Sequence, residues 1–315
     1  MSSPFSLLRL PRVVLCEVLK SLSIGEKILL SLCSKRISTQ INNAQFYSQK
    51  VIVNLDMLCQ GIRVHSENNK DTFEIFPYLI SSSSHNSDIH QFPIAGCSTP
   101  GFSIPTGIKI FWNNHREGFL YLIRHLLKMF KCNISADISY YNCDILQPVI
   151  FELFDLQVEF KKLTISLNGS EDEHLFWNQI SNKLGLVEDL IIYYWVRYLF
   201  RPDFISWPQN ITIMNSTGVT LRFLFACTSP TITLFKSLLD NNDLDVILRR
   251  WKTGGLLNLE HLQIQSELLK NNGTTILGMK LWDLDGMVIQ NDDGSKKATI
   301  RVGVQCIEMS VTSSD

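Results

Sequence analysis

Residues 4–37 read P-F-S-L-L-R-L-P-R-V-V-L-C-E-V-L-K-S-L-S-I-G-E-K-I-L-L-S-L-C-S-K-R-I, and the spacing of apolar side chains here decides the N-terminal fold. Val14 and Val18 are four apart, as are Leu15 and Leu19, and Leu22 continues the Leu15 face seven residues on. That is the period of an amphipathic helix. Pro11 sits near its first turn, where a missing N–H costs nothing. Ser23 and Glu26 have the spacing of a capping box, which predicts a second helix carrying Ile28, Leu29, Leu32 and Cys33. Ser34 can cap a third, in which Ile37 and Ile41 share a face. Roughly 40 residues are near the limit at which a lone core stabilises itself. The surplus apolar surface therefore predicts a cover, either a partner or a neighbouring domain. We expect these side chains to be left uncovered by their own chain and to await a second molecule.

The order L-P (10–11), V-L-x-x-V-L-x-x-L (14–22) and L-L-S-L-C-S-K-R (29–36) resembles an F-box over roughly residues 5–47. The resemblance implies docking to a Skp-type adaptor and, through it, membership of a cullin–RING ubiquitin ligase. It implies an adaptor-facing set of Leu10, Pro11, Val14, Leu15, Val18 and Ile24. Two positions depart from the pattern: Gly25 stands where a proline is often found, and Ile37 where a tryptophan is often found. The first weakens helix initiation slightly; the second removes a bulky anchor. The competing reading is a helical cap on a repeat-type scaffold or receptor, needing no other protein.

Downstream, V-I-V-N-L (51–55), Gly61–His65 and Thr72–Phe76 read as strands, the last two flanking a polar turn. Residues 81–107, rich in Ser, Pro and Gly, read as a loop or linker. From Gly118 helix and strand alternate: a stripe of Phe119, Leu122, Ile123, Leu126, Leu127 and Phe130 is followed by strands and helices in turn. Aligning strands on Ile134, Leu163, Leu190, Ile211, Ile232 and Leu262 gives spacings of 29, 27, 21, 21 and 30 residues. Such a period matches leucine-rich repeats, irregularly, and predicts a row of parallel strands with one open face and helices behind. The segment W-K-T-G-G-L-L-N-L-E-H-L-Q-I (251–264) resembles the F-box-associated domain of the type expanded in nematodes. That likeness, spanning residues 110–290, implies target binding. The C-terminal part folds back as a hairpin of 287–290 and 299–304 around N-D-D-G.

The expected fold is thus α/β, a short three-helix F-box at 1–50, a strand-rich connector and loop at 51–107, and an irregular leucine-rich-repeat-like domain at 108–315. At 315 residues the chain has room for about two domains. A net charge of -1 and the lack of any Lys/Arg run argue against nucleic acid or anionic membrane as partner. The eight cysteines, at 16, 33, 59, 97, 132, 143, 227 and 306, show no C-x-x-C pair and read as reduced, core-filling thiols. Glu17, Lys20, Glu26 and Lys27 break up any secretory leader, and Leu190–Phe200 is too short to span a bilayer. A cytoplasmic or nuclear protein is expected, so the sequons at Asn133, Asn168, Asn210, Asn215 and Asn272 carry no weight.

No Walker loop, G-x-S-x-G elbow, H-E-x-x-H or dinucleotide fingerprint is present. We expect no catalytic residue, cofactor or metal. His115 and His125 would project about 80° apart on one helix and lack a Cys partner at ligand spacing. Asp283, Asp285 and Gly286 open like a calcium loop, but the position twelve after Asp283 is Ser295, and no bidentate Glu stands there. Glu171, Asp172 and Glu173 fit a helix start. Tyr193, Tyr194, Trp195 and Tyr198 read as strand and core packing, or as a ligand-contact patch.

Overall fold

A computed structural model describes residues 9–43, 51–56, 61–79, 89–94, 97–139, 143–166, 172–193 and 204–314. The chain divides into two units, the first Met1–Ala136 with Asp144–Val149, the second Asp137–Cys143 with Ile150–Asp315. The expected divisions at 50 and 107 both fall inside the first unit.

The first unit opens with the three expected helices, α1 (Arg12–Ser21), α2 (Ile24–Cys33) and α3 (Lys35–Asn43). Strands β1 (Val51–Asp56), β2 (Gly61–Ser66) and β3 (Thr72–Leu79) form an antiparallel meander. β3 pairs in parallel with β6 (Gly107–Trp112), which continues antiparallel through β5 (Cys97–Ile104) to β4 (His90–Ile94). Helix α4 (His115–Phe130) follows, and β7 (Ile134–Ser139) begins by pairing in parallel with β1. The inner face is alternate-residue burial made visible: Val53, Leu55, Ile62, Val64, Ile75, Ile108 and Ile110 are all buried.

Strands β4 (His90–Ile94) and β5 (Cys97–Ile104) correct the expected loop. Their Pro and Gly content reads as loop, yet Pro93 lies on β4, which ends the strand order of this unit, where a missing N–H interrupts no ladder. Gly101 is required by close approach, since a Cβ there would lie 2.6 Å from the Lys109 carbonyl oxygen. Residues 81–88 lie outside the described residues.

In the second unit, β8 (Phe160–Ser166), β9 (Val187–Ile192), β10 (Asn210–Ile213), β11 (Thr231–Ser237) and β12 (His261–Ser266) are parallel neighbours in chain order. Leu163, Leu190, Ile211, Ile232 and Leu262, five of the six residues aligned from sequence, are direct register partners along this row; the sixth, Ile134, pairs with Val53. Helices α6 (Asp172–Ile180), α7 (Leu221–Ala226) and α8 (Asn241–Lys252) lie in the connections; α5 (Cys143–Asp155) precedes β8. Parallel crossovers are right-handed almost without exception, and neighbours that always advance one way put their connecting helices on one face. Burial agrees with this. Leu190, Ile192, Ile211, Ile213, Ile232, Leu234, Leu262 and Ile264 are buried, as are Leu224, Leu244, Ile247, Leu248 and Trp251 of the helices.

The row ends on an antiparallel meander, β12 against β15 (Cys306–Ser313), then β14 (Lys296–Gly303), then β13 (Val288–Gln290). The hairpin expected near N-D-D-G is therefore β13–β14. The fold class is mixed α/β, with three helices at the N-terminus that fit an F-box.

Candidate functional site

The N-terminal helices expose one apolar surface and hide another. Leu15 and Leu19 of α1 are buried, while Val13 is 76% and Val14 45% exposed. Of the expected contact set, Pro11 and Val14 are exposed, and Leu10 and Val18 half-buried. Leu15 is buried at 5% exposure, and Ile24 is 0% exposed. An open groove of about 320 Å³ is lined by Leu10, Arg12 and Leu15 at the start of α1 and by Gln40 and Asn43 of α3.

The capping box read from sequence is formed. The Glu26 amide donates to Ser23 Oγ at 3.2 Å, and the Ser23 amide donates to Glu26 Oε2 at 2.8 Å. Bonds from the Ser23 backbone, then its side chain, hold the Glu26 carboxyl below the usual carboxylate range. Beyond the cap, Ile24, Ile28 and Leu32 of α2 are buried, and the helix packs on β2, β3 and β4. This corrects the expectation that the N-terminal apolar side chains await a second molecule. The α2 set is covered by the chain's own strands; on α1, Leu15 and Leu19 are covered too, and Val13 and Val14 are not.

The comparisons bear on this segment. Residues 7–49 match the F-box domain. Comparison with curated proteins and with solved structures finds no match to the chain. An F-box is the module through which substrate adaptors of Skp–cullin–F-box ubiquitin ligases bind their Skp-type subunit. In this F-box the accessible apolar positions concentrate on the outer side of α1 and its entry.

The other residues singled out from sequence do not converge. Among the described residues no three His, Cys, Asp or Glu side chains are placed to hold a metal ion. His115 stacks on Phe119, whereas His125 stacks on Tyr121 and meets Ser31 Oγ at 2.8 Å. The Ser31 hydroxyl donates to the Ile28 carbonyl, so His125 Nε2 must be the donor of that contact. Burial, then Lys128, lowers the His125 pKa. Asp283 accepts from the Lys280 amide and Asp285 from the Val302 amide, each fixing a turn. Tyr193 is 44% exposed; Tyr194, Trp195, Tyr198 and Glu171 lie outside the described residues.

Sequence reasoning missed two features of the second unit. Trp177, Phe204, Trp207 and Phe223 form a chain of ring contacts at 5.5, 4.9 and 5.3 Å. Local sequence pairs only Phe204 with Trp207; Trp177 and Phe223 come from distant positions. The other feature is a pair of in-register rows beside the buried anchors: Asp189, Asn210, Thr231 and His261, then Ile191, Thr212, Thr233 and Gln263. All eight are half-exposed and point away from the buried face. Asn210 Nδ2 donates to Asp189 Oδ1 at 2.6 Å, cross-linking neighbouring strands of the first row. Period-two alternation inside each strand is the signal that could have found them. Among the described residues no helix is long and apolar enough to cross a membrane.

Proposed function

We propose that this chain is the substrate-recognition subunit of a Skp–cullin–F-box ubiquitin ligase. The F-box match at 7–49, with its exposed α1 surface, carries the reading. Leu10, Pro11, Val14 and Val18 make the adaptor contact, with Leu15 and Ile24 as the core that supports it. The open face of the parallel row binds the target protein, in the manner of a leucine-rich-repeat-like, F-box-associated domain. Its half-exposed rows, with Asp, Asn, Thr, His and Gln side chains, offer donors and acceptors. The subunit performs no chemistry and acts by raising the effective concentration of target lysines near a charged ubiquitin-conjugating enzyme. It works in the cytoplasm or nucleus.

The test is co-elution of the intact chain with a purified Skp-type adaptor on size exclusion. A stoichiometric complex is expected. Failure to form one at micromolar concentrations overturns the reading and favours an N-terminal cap on a scaffold protein.

A further inference from the structure

Helix α2 is gripped at both ends by residues that lie outside the F-box match. At its start the Ile24 amide donates to Asp71 Oδ2 at 2.7 Å, across 47 residues of sequence. Ser23 and Glu26 already satisfy one another, so Asp71 takes a first-turn amide that the capping box leaves open. A carboxylate is also the favoured charge at a helix N-terminus. Asp71 is itself fixed, because it closes the β2–β3 turn: the Ser66 amide donates to its carbonyl at 3.0 Å and its own amide donates to Ser66 Oγ at 3.3 Å. One turn into the helix, Lys27 is only 2% exposed, and the Asp71 charge opposes the burial that lowers its pKa.

The second grip is steric. A Cβ at Gly25 would lie 2.4 Å from Phe73 Cδ2, and Phe73 is itself buried on β3. Position 25 of this F-box is thus shaped to the strand beneath it. The third grip is the contact of Ser31 with His125 on α4. Helix α3 packs on both α2 and α4, and α1 packs on α3. What holds α2 therefore also holds the exposed side of α1.

We propose that the adaptor-binding element extends beyond residues 7–49 to the β2–β3 hairpin and α4, with Asp71, Phe73 and His125 as positioning residues for it. The inference rests on the adaptor reading above. It predicts that adaptor affinity depends on side chains that never touch the adaptor.

The experiment uses the full-length chain and two readouts, amide hydrogen exchange and affinity for a purified Skp-type adaptor. Asp71→Ala should speed exchange across residues 24–33 about tenfold or more, the scale of a lost hydrogen bond to a charged acceptor. Exchange in β5 and β6 of the first unit and in β9–β12 of the second should not change, which shows that both units still fold. Adaptor affinity should fall by a similar factor, and Asp71→Asn, which keeps a weaker acceptor, should fall between. Gly25→Ala should give the same pattern, and Phe73→Leu in the Gly25→Ala background should restore both readouts by making room. Unchanged exchange and affinity in Asp71→Ala and Gly25→Ala would overturn the proposal. So would loosened α2 exchange with full affinity, because the grip would then be structural only. If the wild-type chain binds no adaptor, the functional reading itself fails, and its protected α2 would mark the grip as scaffold packing.

Discussion

Val14 and Ile24 belong to the same expected contact set, and the structure separates what each should do. Val14 is 45% exposed, so its replacement by Asp should change folding stability by no more than about 0.5 kcal/mol. Fully burying a valine is worth about 1.5 kcal/mol, so covering the exposed 45% on docking is worth about 0.7 kcal/mol. Val14→Ala should then weaken the adaptor complex about threefold. Val14→Asp adds an unpaired charge at the contact and should weaken it by roughly a hundredfold or more. Ile24 is 0% exposed, and Ile24→Ala should cost about 2–5 kcal/mol of stability through the cavity it leaves. For a unit of this size that is a melting shift of roughly 4–20 °C. Calorimetric titration with the adaptor, run beside thermal unfolding of each variant, reads both quantities. The reasoning is refuted if Val14→Asp binds like wild type, or if it melts below Ile24→Ala.

Three further outcomes follow from the geometry. Burial depresses the His125 pKa from 6.5, so the unfolded chain takes up a proton first; the stability from neutral His125 is complete above 6.5 and lost as pH falls through its lower folded value. The melting temperature should drop more steeply between pH 7.5 and 5.5 in wild type than in His125→Gln, and equal slopes would exclude this. Burial pushes the Cys132 thiol up to about 12 and the Cys227 thiol up to about 11; it raises the Cys33 thiol as well, but Cys33 is exposed. Alkylation at pH 8 mapped by mass spectrometry should therefore mark Cys33 in the native protein, and Cys132 and Cys227 only after unfolding. Gln157 closes α5 in the left-handed conformation (φ 56°), with its amide bonded to the Phe154 carbonyl and that of Val158 to the Leu153 carbonyl. Glycine suits that site, so Gln157→Gly should raise stability by roughly 0.5–1 kcal/mol in denaturant titration; a loss would show that the Gln157 side-chain bond to Phe154 outweighs the backbone strain.

What was legible in the sequence is what short-range periodicity encodes. The four-residue spacing of Leu15 and Leu19 put both on the inner face of α1, and Ser23 with Glu26 gave the start of α2. The alignment of Leu163, Leu190, Ile211, Ile232 and Leu262 even gave the cross-strand register, because each is the buried residue at the same level of its strand. The illegible parts depend on partners distant in the chain. Pro93 and Gly101 look like loop residues until β5 and β6 supply the neighbours that make one an edge position and the other a close approach. An apolar pattern likewise says that a face will be covered without saying by what. The α1 and α2 stripes are both apolar in sequence, yet Phe73, Asp71 and the sheet below take the α2 stripe for the chain's own core. Only the surface left over after that internal packing is free for another protein. It lies at the entry and outer side of α1, so a contact set taken from the F-box resemblance also includes core residues such as Ile24, whose loss would reach adaptor binding only through folding.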